Sequence, residues 1–368
     1  MRSIVAPGSL LAIILLAALA PAAGAQRMQF DRQLKAETVC FTVNNRNDPQ
    51  PSVLYGKRFT DGPVSRQTPA IVLVHGAASS VENWDFSPSW SVARALAAAG
   101  YVVYAYDRLG YARSTYDRPA GGLRTSLPGH RFMLHQIVDD VRGAGYETTR
   151  AKGCSGPRTK GDLRSNRVVI VGHSLGGLIV AGYPGQYHDV EAMVSTAING
   201  SFSPEEGEDD VGSAEGGRFT PNRAQPDYFD LFYTRQDCEQ FNVFAPGQVR
   251  YAVDIACDPR GFLISPYGDI ASLGQTAEEN RRHIAQIGQG TDVLLSSGDH
   301  DTTAPPAAQR GDYRYYRDNC GCDVTMHMIA NSGHLFQVHR SMAAWVDYVT
   351  GWLTSRGLPP GRRAAGTG

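Results

Sequence analysis

Two hydrophobic patterns divide the chain. Over roughly residues 28–66 apolar and polar positions alternate, with turn signals at Asn44-Asn45 and Asp61-Gly62. That period of two predicts short antiparallel strands with one buried face. From Ala70 onward the alternation gives way to continuous apolar runs at Ala70–Val74, 101–106, 168–171, 192–195, 293–296 and Val324–Ile329. Helix-prone stretches separate them: 91–99, which is Ala-rich and closed by Gly100, the region around 130–145, the residues after Ser174, and 342–353. Strands apolar on both faces and alternating with helices predict an α/β fold, a mostly parallel central sheet flanked by helices.

Three stretches break this rhythm. Residues 150–166 form a basic, Gly- and Pro-containing loop, expected to be a solvated surface, and 205–217 are acidic and glycine-rich. The longer segment 200–288 interrupts the strand–helix alternation and reads as an inserted lid or cap. Within it Tyr228, Phe229, Phe232 and Tyr233 have the spacing of one helix face, a stripe that is usually core but in a lid often faces the substrate. The resulting organisation is N-terminal strands over 26–66, a first core part over 67–199, the insertion over 200–288, a second core part over 289–355 and a frayed tail over 356–368.

The first 25 residues stand apart from the fold. Arg2 precedes the apolar run 10–20, and Ala23-Gly24-Ala25 has the small-x-small form of a cleavage site. A run of this length falls short of the roughly 20 apolar residues that span a bilayer, so it reads as a secretory signal and not a stable membrane anchor. The expected mature chain is exported and begins near Gln26. Its six cysteines, Cys40, Cys154, Cys238, Cys257, Cys320 and Cys322, are an even number without zinc-site spacing, which points to disulfides, with Cys238 and Cys257, which bracket a single segment, as the expected local pair. A formal net charge of −1 over 368 residues offers no basic stripe for nucleic acid.

The stretch Val168-Val169-Ile170-Val171-Gly172-His173-Ser174-Leu175-Gly176-Gly177 carries the chemistry. A β-branched strand runs into a G-x-S-x-G turn and then an apolar helix, the context that lifts a serine oxygen above the strand ends. A serine hydroxyl is a weak nucleophile without a base, so the turn predicts a histidine and a carboxylate elsewhere. His334, in a small-residue loop after the strand Val324–Ile329, fits the base, while His339 suits a structural role. Asp299 and Asp301 both follow the run 293–296, and periodicity does not choose between them. An oxyanion hole would use the backbone N–H groups of Leu175 and Ala77, with His75 bracing the latter's loop.

Taken together these segments resemble the α/β-hydrolase superfamily. The matches are VLVHG at 72–76, YDRLGYARS at 106–114, VGHSLGG at 171–177, GDHDTTAPP at 298–306 and SGH at 332–334, in the family's order of nucleophile, acid and histidine. Ala112 stands where the family's D-x-x-G-x-G-x-S turn has its second glycine. The family's G-x-x-D-x-x-x-P form aligns Gly298 and Pro305 so that Asp301 is the acid. The resemblance implies a serine hydrolase acting on a small-molecule carboxylic ester or lactone, with Ser174, His334 and Asp301 as its triad and no cofactor or metal. Amidase, peptidase, acyltransferase and perhydrolase chemistry share that triad, and a non-catalytic binding member is the reading of another class. The fold's dehalogenases and epoxide hydrolases use an aspartate nucleophile, which Ser174 replaces here.

Overall fold

A computed structural model describes residues 34–200 and 220–361. The signal-like segment and the acidic stretch 205–217 lie outside the described residues.

A ten-stranded sheet organises the chain. Six strands run parallel in the order Val324–Ile329, Asp292–Gly298, Ala192–Thr196, Val168–His173, Ala70–Val74 and Val102–Tyr106. The antiparallel strands Asp48–Asp61, Leu34–Asn45, Glu147–Thr149 and Thr159–Lys160 extend one edge. Successive side chains of a strand point to opposite faces, so each apolar run feeds two cores at once. Val72, Val74 and Ile170 face Ile137 and Leu178, and Ile71, Leu73 and Val169 lie in the core that holds Leu96 and Trp345. Helices Leu127–Gly143 and Leu175–Ala181 cover the first face, and Val92–Ala98 and Met342–Ser355 the second.

Local chemistry sets the helix ends. The Ser91 hydroxyl accepts from the Arg94 N–H and starts Val92–Ala98, and Gly100, at φ +108°, turns the chain out of it. Ser126 caps Leu127–Gly143 in the same way.

Three expectations are corrected. The N-terminal strands are long, 12 and 14 residues, because their pairing continues without a break from Leu34↔Asp61 to Val43↔Ser52 and closes at Asn45↔Asp48 around Arg46-Asn47. The aromatic stripe is not helical: Tyr228–Asp230 is a strand paired with Ile264–Pro266, a partner some 36 residues away that a local period does not register. The helix begins only at Arg235, where Thr234 and Asp237 form a capping box. The loop 150–166 is largely exposed, in keeping with a solvated surface, and is anchored by a disulfide from Cys154 to Cys40 and by Thr159–Lys160 pairing. Nor does the tail fray at Arg356: Leu358 is buried, its carbonyl accepts from the Tyr101 hydroxyl at 3.0 Å, and the Gly361 N–H donates to the Gly100 carbonyl at 2.9 Å.

All six cysteines are paired, as Cys40–Cys154, Cys238–Cys257 and Cys320–Cys322. Thiol titration of denatured, unreduced protein should therefore find no free thiol. Replacing Cys40 and Cys154 together by alanine, which releases a link across 114 residues, should cost about 2–4 kcal/mol of stability in a urea titration. An unchanged midpoint would contradict this pairing.

Candidate active site

The serine turn explains its own glycines. Ser174 sits at φ +55°, ψ −122°, a conformation that L-residues rarely adopt. To reach it the chain folds back so tightly that a Cβ on Gly172 would lie 2.1 Å from the Gly176 carbonyl oxygen. A Cβ on Gly176 would meet the Val74 carbonyl oxygen at the same distance. Only glycine fits at either position.

Above the strand ends three separate segments converge. His334 Nε2 lies 3.0 Å from Ser174 Oγ, and His334 Nδ1 lies 3.0 and 3.2 Å from the two oxygens of Asp301. Asp301, His334 and Ser174 are all buried. Asp301 Oδ1 also accepts from the N–H groups of Thr303 and Ala304, both at 2.9 Å, which fixes the carboxylate's orientation. An imidazole held this way is fixed in the tautomer whose Nε2 can take a hydroxyl proton. Asp299, the competing acid, points elsewhere: its carboxylate accepts the Ser332 N–H at 3.1 Å and so ties the acid loop to the histidine loop.

Three other histidines brace the site. His173 Nε2 donates to the His334 carbonyl at 2.9 Å, and burial holds its pKa down to about 3. His75 Nε2 accepts the Arg108 N–H at 3.0 Å and its Nδ1 donates to the Gly76 carbonyl at 2.8 Å, the bracing expected of it. His339 Nε2 accepts the N–H groups of Phe244 and Gly333, and its Nδ1 donates to the Leu335 carbonyl. It thereby grips the chain on both sides of His334, a role that its position near a helix start could not reveal.

A cavity of about 420 Å³ opens over Ser174 and His334. Its walls are mainly apolar, with Leu178 and Ile198 on one side and Leu231, Phe232, Phe241 and Leu273 from the stretch 228–273. Of the four aromatics singled out in the sequence, Phe232 lines it, whereas Tyr233 is exposed. Phe241, which the spacing did not single out for the site, packs edge-on to the His334 ring at 5.1 Å. Glu82, Asn83 and Arg113 form a polar flank. Away from the cavity, His135, Asp139 and Asp189 bring ligand-type atoms together, but His135 Nδ1 is already bonded to Asp189 at 2.8 Å and Asp139 is exposed, an arrangement of surface ion pairs.

A mostly parallel sheet with a serine on a strained strand–helix turn, a histidine and an acid at the strand ends defines a hydrolase-type α/β protein. The chain belongs to the alpha/beta hydrolase family, whose model matches residues 71–347. Its fold is shared with a monoacylglycerol lipase of Paleococcus ferrophilus, at 20% identity and a TM-score of 0.56 over 82% of this chain and 99% of that one. A thermophilic esterase from Thermogutta terrifontis is similar at 15% identity and a TM-score of 0.55, over 86% of this chain and 98% of that one. The peroxisomal alpha-beta-hydrolase Lpx1 of Saccharomyces cerevisiae is similar at 14% identity and a TM-score of 0.56, over 91% and 92% of the two chains. No curated protein matches the sequence significantly. Among the described residues no helix is long and apolar enough to cross a membrane.

His339 supplies a pH prediction. Burial lowers its pKa from 6.5 to about 4, and a proton on Nε2 would confront two N–H donors. The unfolded chain therefore binds a proton near pH 6.5 that the folded chain takes up only near 4. This contribution to stability is complete above pH 6.5 and is lost as the pH falls towards 4, about 3 kcal/mol in all. In His339→Gln the unfolding free energy should fall less steeply with acid over that window, by up to one proton, in denaturant titrations at stepped pH. An unchanged slope would count against a neutral His339.

Proposed function

We propose that the protein is a serine ester hydrolase working through an acyl-enzyme on Ser174. The observation that carries this reading is the continuous chain of contacts Ser174–His334–Asp301, with about 3.0 Å at each step, at the floor of an apolar cavity. Ser174 Oγ attacks the ester carbonyl carbon while His334 Nε2 takes its proton. Asp301 holds the imidazole and stabilises its charge. The N–H groups of Ala77 and Leu175 receive the oxyanion. Ala78 cannot serve on that loop, because its N–H donates to Ser265 Oγ at 2.7 Å. Collapse of the tetrahedral intermediate breaks the carbon–oxygen bond, and the alcohol leaves with the proton from His334. Water then enters by the same route in reverse and frees the acid.

The cavity indicates the substrate class. At about 420 Å³ it falls in the range of small-molecule sites, and its apolar walls suit an acyl chain of moderate length beside a more polar alcohol part. The lipase and esterase among the similar structures agree with an ester substrate, and lactones belong to the same chemistry. Export is the companion proposal: residues 1–25 act as a secretory signal, and three disulfides suit an oxidising compartment.

A panel of p-nitrophenyl esters of increasing acyl length, run beside lactones and amides, tests the reading. Activity should peak at short to medium acyl chains and be far lower on amides. Ser174→Ala should lose at least about 10³-fold in kcat with an unchanged melting curve, and near-normal turnover would sink the assignment. Asp301→Asn should fall by about 10⁴-fold, as the equivalent change does in a serine protease. Asp299→Asn should keep most of its activity. The reverse order would move the acid to Asp299.

A further inference from the structure

Beneath the oxyanion loop lies a buried ion pair that the hydrolytic mechanism does not use. Arg108 follows the strand Val102–Tyr106, and Asp269 lies in the inserted segment on the short helix Tyr267–Ala271. Both side chains are completely buried. Arg108 Nη1 donates to Asp269 Oδ2 at 2.7 Å, the Tyr111 hydroxyl donates to the same oxygen at 2.8 Å, and His130 Nε2 lies 3.0 Å from Oδ1. Burial disfavours the Asp269 charge, but His130, Arg108 and Tyr111 outweigh it and hold the carboxyl well below the usual carboxylate range. The guanidinium is thus fixed in place, and its second arm, Nη2, donates to the Gly76 carbonyl at 2.9 Å.

That carbonyl belongs to the same peptide group as the Ala77 N–H. A cation bonded to the oxygen of an amide withdraws electron density from its nitrogen and makes the N–H a stronger donor. Such cooperative strengthening is about 10–30% per bond, and a dry surrounding enlarges its effect. The Gly76 oxygen accepts a second bond, from His75 Nδ1. His75 is neutral, burial keeping its pKa well below the ordinary value, and the Arg108 N–H on its Nε2 leaves the proton on Nδ1. On the far side of Ala77, Ser265 of the inserted segment takes up the Ala78 N–H. Both flanking residues of Ala77 are therefore anchored, directly or through Arg108, to the inserted segment.

We infer that Arg108 is a positioning residue for ester hydrolysis: held by Asp269, it polarises the Gly76–Ala77 peptide and aims its N–H at the developing oxyanion. The inference rests on the serine hydrolase reading. It also gives the inserted segment a part in catalysis beyond lining the cavity, since Asp269 and Ser265 both come from it. A group that acts through the oxyanion should affect the transition state and spare the ground state.

Arg108→Gln, which removes the charge, is the direct test on the full-length protein. Removing a whole oxyanion donor costs about 10²–10³-fold in kcat, so weakening one should cost about tenfold. KM for the preferred p-nitrophenyl ester should stay within about twofold, because the acyl contacts are untouched. A trifluoromethyl ketone gives the reading that a structural role would not move. Ser174 Oγ adds to its carbonyl carbon, the π electrons pass to oxygen as an oxyanion, and the serine proton goes to His334. Its inhibition constant should therefore weaken by the same factor as kcat/KM. If Arg108→Gln fails to fold, Arg108→Met combined with Asp269→Asn removes both charges, leaves neither unpaired, and should give the same kinetic pattern. A folded variant with a lower melting temperature but unchanged kcat and ketone affinity overturns the inference. If Ser174→Ala is as active as the parent protein, the hydrolase reading itself has failed. An inert Ser174→Ala beside a kinetically normal Arg108→Gln removes only the role given to Arg108.

Discussion

Ser174 is held at φ +55° between a buried strand and a helix, and much of the surrounding structure follows from that one backbone angle. A non-glycine residue in such a region costs on the order of 1–3 kcal/mol and persists only where its neighbours over-determine it. Here they do. The Ser174 N–H is bonded to the Thr196 carbonyl at 3.0 Å, so the next parallel strand grips the turn. Glycines at 172 and 176 let the turn close on itself and on Val74. The order of the central strands is thus tied to the turn: the strand before Ser174 must lie between the one that ends at Val74 and the one that ends at Thr196.

Four buried histidines surround this turn, and what each one touches separates their roles. His75, His173 and His339 each donate a ring N–H to a backbone carbonyl, and burial depresses the pKa of all three. They serve as neutral struts. His334 alone of the four places one nitrogen against a carboxylate and the other against a hydroxyl. The struts serve that residue: His173 holds its carbonyl, and His339 holds the residues before and after it. An imidazole set between a carboxylate and a hydroxyl is thereby framed by imidazoles bonded to backbone carbonyls.

The stretch 228–273 is bound into this frame by charge as well as by apolar contact. Phe241 packs against the His334 ring, and Cys238–Cys257 joins the two short helices whose residues reach the cavity. Asp269 meets Arg108 in a setting where neither is exposed, so further hydrogen bonds must help to offset the desolvation of the pair. Tyr111 and His130 supply them on the Asp269 side. The pair thus links the helix Tyr267–Ala271 to the core by a directional contact.

Periodicity and turn chemistry by themselves marked the sheet's parallel strands, the helices between them and the serine turn, because each leaves its pattern within a dozen residues of sequence even though the strands pair at long range. Family resemblance chose Asp301 over Asp299. In the structure Asp301 faces His334, while Asp299 is bonded to the Ser332 backbone. Other features were out of reach of a local reading. Tyr228–Asp230 became a strand through a partner at Ile264–Pro266, and the tail after Arg356 was docked by Tyr101 and Gly100. Arg108 and Asp269 lie 161 positions apart, and His339 acts through the backbone of Phe244 and Gly333. Hydrophobic pattern records which side a residue faces, whereas a buried polar group is defined by the partner that satisfies it. Only the tertiary structure brings those partners together.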